Sequence, residues 1–274
     1  MSAPAVVRIE PRRGIRLAEL GELWSHRELI WVLAIRDVRV RYRQTVLGVA
    51  WAVLRPILAA ALMTLVFGRL AKLPSEGLPY SLFALLGVVP WTFFSGAVAS
   101  ASESLLGAQA LVTRVYFPRL ALPLAALGAP LVDLAVSLVL ALGFALSSGL
   151  RPSATWTLVP VGLAILFLAA AGLGAGLAAL NALFRDVRHL VPFALQLALY
   201  ASPVVYPASL VPERYRAAYF LNPVAGALEA FRGGVAGSPP DPALLAISGA
   251  SALALLIAGV ALFLRVERRL ADVV

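Results

Sequence analysis

The sequence predicts an all-α polytopic membrane protein: six transmembrane helices, an N-terminal amphipathic interface helix, and re-entrant outer half-helices before the last span. Three observations carry that assignment. Hydrophobic residues make up 61% of the chain and charged residues only 14%. With a mean hydropathy of +0.89, this leaves too little polar surface to cover a soluble globule of 274 residues. The apolar residues fall in runs that match the roughly 20 helical residues needed to cross a hydrocarbon core. The arginines gather at the ends of those runs, where charge stays at headgroup depth.

The same features exclude several function classes. The net charge of +9 sits beside apolar segments rather than on a soluble basic face, so its counterions are expected to be membrane lipids and not nucleic acid. With no cysteine and only His26 and His189, neither a disulfide nor a metal site is expected. The N-terminus lacks the charged, apolar and small-residue order of a cleaved signal peptide.

Residues 1–45 read as a cytoplasmic tail and interface helix, and 46–274 as a transmembrane domain. Residues 1–14 hold Pro and scattered charge without periodicity. From Leu17, apolar residues including Trp24 and Trp31 recur near helical spacing between Glu19, Glu22, Arg27 and Glu28, which predicts a helix along the membrane interface. Arg36, Arg39, Arg41 and Arg43 then run into the first apolar stretch, which fixes the N-terminus inside.

Spans are expected at about 46–68, 78–100, 120–149, 156–183, 190–206 and 244–264. The second carries Pro90 among aromatic residues and is expected to kink. The third exceeds the crossing length and must tilt or begin outside the core. The fourth contains AAAGLGAGLAAL, small residues that permit close helix approach. The segment 207–242 is too broken to span and too apolar for a plain loop, and fits two half-inserted helices around 208–220 and 223–236. With both termini cytoplasmic, most of the chain's cations fall on the inner side.

Catalytic chemistry is poorly provided for. Asp133 is the sole acid within the predicted spans, so a pair of intramembrane catalytic carboxylates is missing, and no catalytic residue is assigned. Asp133 leaves two readings open, a helix-packing group or a relay in a proton-coupled carrier. A phosphate-cradling loop needs a Gly-Lys pair opening a helix, whereas the single lysine, Lys72, follows Ala71. If nucleotide drives this chain, another subunit hydrolyses it.

Four stretches, RDVRVRYRQTVLGVAWAVLRP, LVTRVYFPRLALP, NALFRDVRHLVPFALQLALYASPVVYP and LNPVAGALEAFR, resemble, in order, the signature stretches of ABC-2 type exporter permeases that move lipid-linked polysaccharides, particularly the O-antigen and teichoic-acid group. The resemblance implies six spans per subunit, a homodimer in a bacterial inner membrane, and two copies of a cytoplasmic ATP-binding cassette subunit. That partner would bind ATP and Mg, and this chain would hold no cofactor. The implied cargo is a lipid-linked glycan, with an O-antigen-like, undecaprenyl-diphosphate-linked chain as first choice; capsule, teichoic acid and a small lipid or drug are the alternatives.

The resemblance also assigns roles by position. Trp24 and Glu28 in the interface helix, together with Gln109, Thr113 and Arg114, would contact the ATPase, and Arg185 and Asp186 would sit at the inner turn between spans four and five. Pro203, Tyr206, Asn222 and Pro223 resemble an outer re-entrant gate, in which Glu229 and Arg232, three residues apart, share a helix face. Sugars stack on aromatic rings, which makes Trp51, Phe67, Trp91, Phe93, Phe94, Tyr200 and Tyr206 candidates for the path, although each is also a possible interface anchor. Arg36, Arg39, Arg41, Arg43 and Arg55 are candidates to receive a lipid diphosphate, with positive-inside anchoring as the competing explanation.

Overall fold

The computed structural model describes residues 21, 23–43, 48, 50–112 and 117–270. Among these the chain is helical, without strands. The expected tail at 1–14 and the first turn of the interface helix lie outside the described residues.

Helix α1 (Arg27–Tyr42) falls in the stretch expected to form the interface helix. It ends where Arg43 turns to an extended conformation, with Arg39 and Arg41 in its last turn, where cations oppose the negative end of the helix dipole. Its Leu33 is buried, while Trp31, Val32 and Val40 are exposed. Helix α2 (Ala50–Met63) continues into a π-helical segment, Thr64–Leu70, and together they form the first apolar crossing. Helix α3 (Tyr80–Gly107) is buried along most of its length. A short α4 (Gln109–Val112) follows.

The expected third span is two helices, α5 (Ala121–Ala125) and α6 (Gly128–Ser147). Pro130 has no amide to offer the Ala126 carbonyl, which accounts for a break at this point. Helix α1 lies over the break: a side chain on Gly128 would come within 2.8 Å of Ala34 Cβ.

Helix α7 (Leu158–Leu183), entered through a 3-10 turn at Ala154–Thr157, is the central post, packed on α3 and on the later helices α10 and α11. Helix α8 (Val187–Ala201) has 15 residues, fewer than a full crossing requires. Then come α9 (Glu213–Tyr219), α10 (Pro223–Ala236) and α11 (Pro242–Leu270). Helices α9 and α10 fall in the stretch expected to hold two half-helices.

Among the described residues, five helical stretches are long and apolar enough to cross a membrane: Ala50–Leu70, Tyr80–Gly107, Ala121–Ser147, Ala154–Leu183 and Pro242–Glu267. The fifth expected span, 190–206, is different in kind. Helix α8 runs beside α3, from Arg188, 4.0 Å from Glu103, until the chain leaves helical geometry at Ser202. Val204 beyond that point abuts Gly87, and Val205 accepts a hydrogen bond from Tyr80 at the start of α3.

The helices thus define two ends. The basic end gathers α1, the turn after α3, the α7–α8 turn and the last turns of α11, where the Arg119 amide donates to Glu267 Oε1 at 3.1 Å. The far end gathers the starts of α3, α7 and α11 with α9 and α10. There Thr155 donates to the Gly234 carbonyl at 2.8 Å and Ser248 to the Phe220 carbonyl at 2.7 Å. Small residues let α7 and α11 touch backbone to backbone: a methyl group on Gly176 would sit 3.3 Å from Gly259 Cα, and one on Gly259 would collide with the Gly172 carbonyl.

Candidate functional site

Two constellations stand out, one at each end. At the basic end, the last turn of α1 delivers Arg41 and Tyr42, the first turns of α2 deliver Trp51 and Arg55, and the second turn of α6 delivers Asp133. Together with Gly48 and Ala52 they line a cavity of about 370 Å³. Arg41 Nη1 lies 2.7 Å from Asp133 Oδ2, and Arg41 Nη2 donates to Ser100 Oγ of α3 at 3.3 Å. The Tyr42 hydroxyl donates to the other carboxylate oxygen, Oδ1. Burial and this bond push the Tyr42 phenol up to about 12. Ser137, one turn along α6, donates to the Ala52 carbonyl at 2.8 Å and fixes α2 against α6. Arg55 has no carboxylate partner among the described residues, and its guanidinium lies 5.9 Å from the Trp51 ring centroid.

Of the five arginines expected to receive a diphosphate, the fold therefore brings Arg41 and Arg55 to one cavity. Arg36 pairs with Asp37 at 2.9 Å and lines a second cavity of about 430 Å³ on the other side of Arg41. Arg39 and Arg43 are exposed and line neither cavity.

At the far end, the broken stretch after α8 is held by side chains. Non-helical backbone at membrane depth must have its polar groups satisfied within the protein. Arg232 Nη2 donates to the Val204 carbonyl at 3.1 Å, and the Ala208 amide donates to Glu229 Oε1 at 3.4 Å. Arg232 is fully enclosed: its guanidinium stacks 3.6 Å from the Phe83 ring centroid, and its Nη1 is 3.6 Å from Glu229. Gly87 makes room, because a methyl group there would stand 2.6 Å from Arg232 Nη2. Asn222 caps α10 by accepting from the Val224 amide at 3.1 Å, and its Nδ2 donates to Ser202 Oγ at 2.9 Å. Pro223 occupies the first turn, where its missing N–H has no cost. Pro203 is buried in the same stretch.

The aromatic candidates separate. Trp91, Phe93 and Phe94 are buried in the main core and pack there, with the Trp91 and Phe94 rings 5.7 Å apart. Phe67 is half-buried against that core. Trp51 faces the basic cavity, and Tyr200 is 56% exposed. Tyr206 donates to the Tyr200 carbonyl at 2.9 Å and meets the Tyr219 hydroxyl at 3.1 Å.

Among the residues expected to couple to an ATPase, Trp24, Glu28, Gln109, Arg185 and Asp186 are exposed at the basic end. Thr113 and Arg114 lie outside the described residues. Arg185 and Asp186 do not pair with each other; the ion pair at this turn joins Arg188 to Glu103. Sequence reasoning missed Tyr42 and Ser100 and did not join Asp133 to Arg41. The available signal was a lone acid in an apolar span of a chain whose preceding segment carried unpaired arginines.

Helices of this length and apolarity, a net basic cleft at one end and a non-helical stretch tied off by side chains at the other define a polytopic helical membrane protein built around discontinuous helices. The chain belongs to the ABC-2 type transporter family, whose profile matches residues 28–235. It is similar to the O-antigen export system permease protein RfbA of Klebsiella pneumoniae, 24% identical over 250 residues, 90% of this chain and 95% of that one. The protein of the same name from Myxococcus xanthus is 30% identical over 213 residues, 77% of this chain and 81% of that one. Polysialic acid transport protein KpsM of Escherichia coli is 23% identical over 208 residues, 73% and 78% of the two chains.

Proposed function

We propose that this chain is the non-catalytic permease subunit of an ATP-driven exporter that moves a lipid-linked polysaccharide, O-antigen-like and carried on undecaprenyl diphosphate, outward across a bacterial inner membrane. In this reading it works as a homodimer with six crossings per subunit and both termini in the cytoplasm. Two copies of a cytoplasmic ATP-binding cassette subunit bind ATP and Mg, and this chain contributes no cofactor. The glycan passes through the permease, while Trp24, Glu28, Gln109, Thr113, Arg114, Arg185 and Asp186 form the surface that receives the ATPase.

The observation that carries the reading, beyond family membership, is the basic-end cavity. Arg41 and Arg55 line one space in which Asp133 is the one carboxylate among the described residues, an arrangement suited to an anionic head entering from the headgroup layer. An arginine presents parallel N–H donors to phosphate oxygens, and Arg55, which has no carboxylate partner among the described residues, offers a second such fork. A capsular glycan is the second reading, favoured by the similarity to KpsM.

Reconstitution with an ATP-binding cassette partner subunit tests the proposal. Lipid-linked glycan should stimulate ATP hydrolysis and move outward only when both proteins and ATP are present. Arg41→Gln with Arg55→Gln should abolish the stimulation. Uphill transport under a proton gradient, without nucleotide or partner, overturns the reading.

A further inference from the structure

Asp133 does more than bridge helices, and its surroundings define what that is. Its two oxygens have separate partners: Oδ2 holds Arg41 and Oδ1 accepts from Tyr42. The ion pair is accessible from the cavity, with the Arg41 side chain 37% and the Asp133 side chain 26% exposed. If Arg41 leaves, the carboxylate keeps the Tyr42 hydroxyl and contact with the cavity, so no buried charge is stranded. Arg41 in turn loses only a carboxylate and retains the 3.3 Å contact to Ser100. The exchange is therefore cheap on both sides. Arg55 on the same wall supplies a second cation for an incoming head, and two guanidinium groups against one carboxylate leave the site net positive.

We propose that Asp133 is an internal stand-in for the cargo's anionic head. It holds Arg41 until a diphosphate takes over that arginine and engages Arg55 at the same time, and this competition sets which heads the cleft accepts. The proposal rests on the headgroup reading above. A neutral head cannot displace the carboxylate. A single phosphate gains one arginine against the loss of one ion pair, whereas a diphosphate gains two.

The test is binding of farnesyl diphosphate, farnesyl monophosphate and farnesol to the full chain in nanodiscs. Wild type should bind the diphosphate at least about tenfold more tightly than the monophosphate. Asp133→Asn, which keeps the shape and an acceptor for Tyr42, should raise the affinity for both phosphates by about fivefold, the upper range for a partly exposed ion pair. It should leave farnesol unchanged. Asp133→Glu should restore wild-type values, and adding Arg41→Gln should erase the gain. Tyr42→Phe, which loosens the same helix contact without removing charge, should change affinity by less than about twofold.

Unchanged or weaker phosphate binding in Asp133→Asn overturns the stand-in role, as does a gain that survives in the Arg41→Gln background or is matched by Tyr42→Phe. Should Asp133→Asn fail to give monodisperse protein, equal wild-type affinity for the two phosphates overturns it. Failure of the underlying headgroup reading looks different. Arg41→Gln and Arg55→Gln would then leave diphosphate binding intact, and wild type would bind it no better than farnesol.

Discussion

Arg232 donates to the backbone carbonyl of Val204 at 3.1 Å across 28 residues of chain, and this bond ties off the non-helical stretch that follows α8. The guanidinium stands in for the amides that a helix would have offered, with Glu229 as its counterion and Phe83 beneath it. Removing it strands both a carbonyl and a carboxylate. Arg232→Ala should therefore destabilise the protein by about 3–5 kcal/mol, the range for breaking a buried ion pair from one side. Thermal unfolding in nanodiscs checks this, and Glu229→Gln combined with Arg232→Met should recover part of the loss.

The α7–α11 contact should tolerate no side chain. A methyl group at Gly259 meets the Gly172 carbonyl, and neither partner is a flexible side chain that can move aside. Gly259→Ala is expected to cost at least about 1–3 kcal/mol and to lower the yield of folded protein. Gly107→Ala, where a methyl group meets nothing within 4 Å, is the matched control.

Asn222 has two tasks, capping α10 and holding Ser202. Asn222→Ala should cost about 1 kcal/mol for the cap alone. Hydrogen exchange should accelerate first at Val224 and Ala225, before the rest of α10.

The Glu103–Arg188 pair makes the opposite case. Its side chains are 56% and 66% exposed at a separation of 4.0 Å, so Glu103→Gln should change stability by less than about 1 kcal/mol. Melting temperatures of the two proteins should agree closely at moderate salt.

Tyr42 predicts a pH dependence. Its phenol is raised from 10.0 to about 12 in the fold, so the folded chain holds this proton more firmly than the unfolded chain does. The resulting stabilisation is complete below pH 10 and declines as the pH rises through 12. Stability curves of wild type and Tyr42→Phe should therefore run parallel below pH 10 and converge above it.

Much of the fold was legible because bilayer crossing constrains length and composition together, and every expected span has a helix within it. What did not follow was the break between α5 and α6, where continuous apolarity hid the loss of a backbone bond at Pro130, and the short α8, whose apolar run continues through 202–206 after the helix has stopped. At the far end, the Glu229–Arg232 pair could be read from its i, i+3 spacing. The Arg41–Asp133 pair, 92 residues apart, could not, since no periodicity links α1 to α6. The aromatic residues of α3 illustrate the same limit: composition marks Trp91, Phe93 and Phe94 as sugar-stacking candidates, but only packing reveals that they are enclosed.

Helix α11 is grasped near both extremities, by Phe220 at Ser248 and by Arg119 at Glu267. The two grips lie on one uninterrupted rod, roughly 28 Å apart at 1.5 Å per residue. A strut of that kind transmits thrust. Any push on the Arg119 loop must shift Phe220 with it or tear one grip loose, so force applied at one surface arrives at the other without passing through the broken segment.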